Sequence, residues 1–148
     1  MQGENFVLFL AGSIEMGAAT QWQTEITKRL SHLEHLVILN PRRDDWDSTW
    51  VQSIDNPQFN EQVTWELDAM DDANLIYFHF DPATKSPITL LELGLHTQGT
   101  PVLVNCGEGY WRKGNVDIVC ARYRVPTVIT LDEAVVQIEA EYEAFMAQ

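Results

Sequence analysis

The stretch Phe6-Val7-Leu8-Phe9-Leu10-Ala11, continued by Gly12-Ser13-Ile14-Glu15-Met16-Gly17, decides the fold. An unbroken apolar run of this length reads as a central strand buried on both faces, because a half-exposed strand would alternate. A helical pattern follows over roughly 19–31, where Trp22, Ile26 and Leu30 recur at i, i+4 and i+8. Strand, glycine loop and helix in this order open many α/β folds that hold nucleotides. The loop lacks the Gly-Lys-Ser/Thr of a P-loop and the three-glycine spacing of a dinucleotide fingerprint. Taken alone, it fits a tight strand-to-helix turn equally well.

Outward from this unit the pattern repeats. Leu36–Leu39 is a second short strand, and it runs into the polar loop Asn40-Pro41-Arg42-Arg43-Asp44-Asp45-Trp46-Asp47. That loop is either a solvated segment with local ion pairs or a rim that contacts a polar ligand through Arg42. A helix over 58–70 carries Phe59, Val63, Glu66, Leu67 and Met70 as a core face. A turn then leads to a third strand, Leu75–Phe80. Further strands are expected at Pro101–Asn105 and Thr127–Ile129, with a short helix near Val116–Ala121 between them. Thr130-Leu131-Asp132-Glu133 is a capping box opening a last helix with Ala134, Ile138, Tyr142 and Phe145 along one side. Five strands alternating with helices predict a single flavodoxin-like α/β domain over 1–148. Its open parallel sheet has helices on both faces and strand order 2-1-3-4-5. In that order the first and third strands part company, and their carboxyl-end loops line a crevice.

The helix after the third strand brings a carboxylate to that crevice. Ser86 suits its N-cap and Pro87 its first position. Ile88, Leu91 and Leu95 recur as a core-facing stripe, with Leu90 and Leu93 opposite, so the helix reads as buried nearly all round. Glu92 lies beside Ile88 and Leu95. An ionised carboxylate on such a surface is costly unless it is bonded or faces a cleft, and burial raises its pKa. It is either a structural group that caps backbone or pairs with an Arg, or a catalytic carboxylate on a pocket floor.

The chain has 148 residues, 45% of them hydrophobic, and a formal net charge of −13. That charge argues against DNA, RNA or an anionic membrane as partner, but not against a small nucleotide held by helix dipoles. No apolar run is long enough for a transmembrane helix and no basic leader precedes the first strand, so the expected location is cytoplasmic. Cys106 and Cys120 read as free thiols. His32, His35, His79 and His96 lack metal-ligand spacing, and neither a metal nor a cofactor is expected. His79 reads as a satisfied core or edge residue. Of the five tryptophans, one or two could wall a flat ligand. No Gly-x-Ser-x-Gly elbow is present, which leaves Glu92, Asp71, Asp72 and several hydroxyls for chemistry.

Four stretches together resemble the nucleoside 2-deoxyribosyltransferase-like family. They are Phe9–Gly17, Asn40–Trp46, Ser86–Ile88 with Glu92-Leu93-Gly94, and Trp111-Arg112-Lys113-Gly114-Asn115-Val116. The resemblance implies a flavodoxin-like fold, a homodimer or larger homo-oligomer, and a nucleoside or nucleotide as the small-molecule ligand. It implies that Glu92 is the nucleophile attacking the anomeric carbon, as a glycosidase carboxylate does. Ser86 matches the position that holds the sugar in transferases and receives a phosphate in nucleoside 5′-monophosphate N-glycosidases. Gly12, Ser13, Ile14 and Gly17 match the loop that receives that phosphate, although Glu15 stands where an Arg often follows. Asn74 matches an Asp that assists the departing base, and Asp71 or Asp72, on the turn just before it, could take that catalytic role and touch the base. The loop from Tyr110 to Asn115 is the candidate for closing a neighbouring subunit's pocket, with Asn115 touching substrate. Two readings follow: cleavage or transfer at an N-glycosidic bond, or a nucleotide-binding module that has lost catalysis.

Overall fold

A computed structural model describes residues 4–13, 21–41 and 51–148. Strands β1 (Phe6–Gly12), β2 (Leu36–Leu39), β3 (Leu75–Phe80), β4 (Val102–Cys106) and β5 (Thr127–Val128) form one parallel sheet in the order β2-β1-β3-β4-β5. The expected α/β flavodoxin-like topology is therefore present. Its crossovers are α1 (Trp22–Arg29), α2 (Pro57–Asp72), α3 (Pro87–His96) and α4 (Lys113–Arg122), and α5 (Leu131–Met146) closes the chain.

Because β1, β3 and β4 are buried on both faces, each sends alternate side chains into two cores. Phe9, Ala11, Ile76, Phe78 and Val104 meet α2, α3 and α4 on one side. Leu8, Leu10, Leu75, Tyr77 and Leu103 meet Trp22 and Ile26 of α1 and Ala134 and Ile138 of α5 on the other. The capping box of α5 is complete: Thr130 Oγ1 accepts from Glu133 N at 3.1 Å, and the Glu133 carboxylate accepts from Thr130 N at 3.1 Å. Both cysteines are free and buried. Among the described residues, no helix is long and apolar enough to cross a membrane.

Two helical faces differ from expectation. In α3 the residues turned to the core are Thr89, Leu93 and His96, while Ile88, Leu91 and Leu95 are 63%, 62% and 59% exposed. A helix apolar all round offers no polar contrast by which its sequence selects a face. In α2 only Met70 is buried, and Val63, Trp65 and Leu67 are exposed. This helix also runs to Asp72, so Asp71 and Asp72 end a helix rather than occupy a turn. Its start is set by Asn56, whose side chain accepts from the backbone N–H groups of Gln58 and Phe59, with Pro57 in the first position.

Candidate active site

The carboxyl ends of β1 and β3 define the crevice, with Gly12 in register with His79. The two strands approach so closely here that a Cβ on Gly12 would overlap the His79 carbonyl oxygen and come within 2.8 Å of Trp22 Cζ2. Both obstacles are held in place, one by the sheet and one by the core. Gly12→Ala is therefore expected to lower unfolding free energy by about 1–3 kcal/mol, measured by urea denaturation. An unchanged midpoint would contradict this account of the close approach.

Just beyond Gly12, Ser13 enters a cluster of three buried hydroxyls. Ser13 Oγ lies 2.7 Å from Ser86 Oγ and 2.8 Å from Thr84 Oγ1, and the latter two are 2.8 Å apart. Ser13 Oγ accepts from Asp81 N at 2.9 Å, and Thr84 Oγ1 donates to the Asp81 carbonyl at 2.9 Å. The Thr84 hydroxyl thus has an acceptor outside the ring, as does Ser13 Oγ, which donates to the His79 carbonyl at 3.3 Å. Ser86 precedes α3 as foreseen, but it does not cap the helix with its side chain. Its backbone is left-handed, with φ 47°, and the hydroxyl is turned back into this cluster. A non-glycine residue in that region carries strain, which is commonly retained at functional sites. The amide end of α3 starts beside this cluster, and among the described residues no side chain caps it, a favourable setting for an anion.

Glu92 stands in the second turn of α3 and is half-buried. Burial pushes its carboxyl up to about 8, and the like charge of Glu66 on α2 pushes in the same direction. The Glu66 carboxyl is itself raised by burial, opposed by a hydrogen bond from Gln62 at 3.4 Å. Among the described residues, Glu92 has no hydrogen-bond or ion-pair partner. Among the described residues it therefore neither caps backbone nor pairs with an Arg. Glu66 on α2 thus lies near enough to act on Glu92 as a like charge, and carboxyls so coupled titrate together rather than singly. Glu66 carries no role in the sequence-based reading. The signal was a carboxylate on the inward stripe of α2, alongside Phe59, Gln62 and Met70, the same anomaly that marks Glu92.

This pair has a consequence for stability. The folded pKa of Glu92 lies above its ordinary value of 4.5. The native state therefore keeps a proton that the unfolded chain has lost. Its stabilising contribution is complete below pH 4.5 and disappears as pH rises through about 8. Glu92→Gln removes that dependence. The variant should match the wild type at pH 4 and exceed it at pH 9 by on the order of 2 kcal/mol, allowing for partial solvent access. Urea denaturation at the two pH values measures this, and an identical pH dependence would contradict it.

The remaining expected residues divide by position. Ser13 and Ser86 come together with Thr84, and Gly12 borders them. Ile14, Gly17 and Arg42 lie outside the described residues. Asp71, Asp72 and Asn74 do not join Glu92. The helix α2 runs antiparallel to the strands, so its last turn and the start of β3 lie at the opposite end of the sheet. There Asn74 Oδ1 accepts from Val7 N at 2.8 Å and Asn74 N donates to the Val7 carbonyl at 2.9 Å, fastening β3 to β1. Asp71 and Asp72 are exposed, and Asp71 acts electrostatically on His96. Asn115 is exposed in the first turn of α4. The loop before α4 does reach the site's edge. The Tyr110 hydroxyl and Trp111 Nε1 both donate to the Lys85 carbonyl, the latter at 2.9 Å, and Arg112 lies over the Trp111 ring at 4.5 Å.

Comparison with known proteins agrees with the fold. The family described as nucleoside 2-deoxyribosyltransferase like matches residues 5–110. A crystal structure of a conserved protein from Enterococcus faecalis V583 superposes with a TM-score of 0.65. At 11% identity it covers 92% of this chain and 98% of its own, a likeness of fold. No curated protein matches in sequence.

Proposed function

The chain belongs to the nucleoside 2-deoxyribosyltransferase-like family, and we propose that it breaks or exchanges the N-glycosidic bond of a nucleoside or nucleoside 5′-monophosphate. The observation carrying this reading is the half-buried Glu92 carboxyl, without a partner among the described residues and under the like charge of a second carboxyl, Glu66. In the reaction we propose, a Glu92 carboxylate oxygen bonds to C1′ while the bond from C1′ to the base nitrogen breaks. The bonding electron pair leaves with the base, which takes up the proton shared by the two carboxyls. Water, or a second base, then attacks C1′ and frees Glu92, and the proton released by the incoming group returns to the pair. Ser13 and Ser86, with the amide end of α3, receive the sugar or its 5′ group. From the family resemblance, Ile14, Gly17 and Arg42 join them.

The test is base release from a panel of ribo- and deoxynucleosides and their 5′-monophosphates, with and without a second free base, separated by chromatography. Free base with free sugar marks a hydrolase, and exchange without free sugar marks a transferase. No turnover, with a nucleotide still raising the melting temperature, would replace this reading by that of a binding module.

We also propose a homo-oligomer in the cytosol, a reducing setting that suits two buried free thiols. The row Ile88, Leu91 and Leu95 flanks Glu92 and faces outward. An apolar row beside a site from which water must be controlled is a natural surface for a second copy. Light scattering is expected to give a dimer or larger assembly. A monomer with full activity would contradict this.

A further inference from the structure

A chain of contacts on the other face of the sheet ends on Ser13. It begins at Asn105 of β4, whose Nδ2 donates to the Tyr77 hydroxyl at 3.0 Å. That hydroxyl lies 2.7 Å from His79 Nδ1. Tyr77 is fully buried, and Asn105 Nδ2 offers it only a donor. The hydroxyl proton must therefore go to Nδ1, which makes Nδ1 an acceptor and places the imidazole proton on Nε2. Burial pushes His79 down to about 4, against the pull of Asp81, so the ring is neutral. Its plane is fixed by the Tyr77 bond, and the Trp22 ring stacks on it at 4.5 Å and 16°. Trp22 Nε1 in turn donates to the Ser13 carbonyl at 3.1 Å.

We propose that His79 is a positioning residue for the active site: a single-tautomer imidazole that carries the Trp22 ring and, through the indole N–H, fixes Ser13 and the hydroxyl cluster. The inference rests on the N-glycosidic reading above and extends it to a residue outside those assigned to the substrate. Its consequence is selective. Ser13 belongs to the part of the site assigned to the sugar or its 5′ group rather than to the reacting carbon. Loosening Ser13 removes binding shared by ground and transition states, which raises KM and leaves kcat nearly unchanged. A residue that merely supported the fold would lower the active fraction, and hence apparent kcat, at constant KM.

The test uses the full chain. His79→Gln supplies a carbonyl acceptor for Tyr77 but no ring to carry Trp22, and Trp22→Phe keeps a ring but loses the indole N–H. Each is expected to raise KM about tenfold with kcat within about threefold, on whichever substrate of the panel the wild type turns over best. The double variant should be no worse than about the larger single effect, because both act through one contact. Unchanged KM, or two effects that multiply, would overturn the proposal. In the ligand-free protein, the imidazole nitrogen resonances should report the Nε2–H tautomer, and the Trp22 indole N–H resonance should shift in His79→Gln. An Nδ1–H tautomer or an unmoved indole resonance overturns the chain from His79 to Ser13 even if no substrate is found. Failure of the wild type on the whole panel instead defeats the functional reading.

Discussion

Glu92→Gln is expected to reduce base release by about 10³-fold or more while nucleotide binding stays within about threefold. The substitution is nearly isosteric and removes only the oxygen nucleophile. The site already holds Glu92 largely protonated at neutral pH, because burial and Glu66 push its carboxyl up to about 8. A neutral amide therefore meets the same environment as the resting acid, and neither the fold nor the ligand pocket has reason to change. Parallel loss of binding and turnover would indicate a structural Glu92, and full activity would remove it from the chemistry.

Glu66→Gln is expected to lower kcat by about 10²–10⁴-fold, the usual contribution of a positioned acid or base. It should also change the shape of the pH profile. In the wild type the working form of the pair holds one proton. The wild-type profile is therefore a bell: both carboxyls protonate on the acid side, and both ionise above about 8. With Glu66 replaced, the like charge is gone and Glu92 ionises at lower pH. Activity should then rise with pH to a plateau, without the fall above about 8. A variant that keeps the bell, or one as fast as the wild type, would show that Glu66 does not share the proton.

The sheet was legible because each strand is a compact apolar run separated by helix-length segments, and β3 was placed to the residue at Leu75–Phe80. Glu92 was legible for the complementary reason, a charge on a surface otherwise apolar. The face of α3 was not, since Ile88, Leu91 and Leu95 are as apolar as the residues that are buried, and only the sheet chooses between them. Asp71, Asp72 and Asn74 were drawn into the site by their closeness in sequence to β3. The helix α2 instead delivers them to its far end, where the Asn74 amide does the work of a backbone bridge to Val7. Glu66 was passed over because it sits in a helix read as core-facing, although a carboxylate on such a face is the same anomaly as Glu92. The left-handed Ser86 depends on the Ser13 and Thr84 hydroxyls, partners distant in sequence or bent back upon it, which no local capping rule anticipates.

The most direct measurement is peptide mass mapping after incubation with a 2′-fluorinated arabinosyl analogue of the best substrate, whose electron-poor sugar slows release from a carboxylate. The account predicts one sugar attached to the peptide containing Glu92, absent in Glu92→Gln. Turnover of the substrate with an unlabelled Glu92, or with the sugar carried on Glu66, would contradict it.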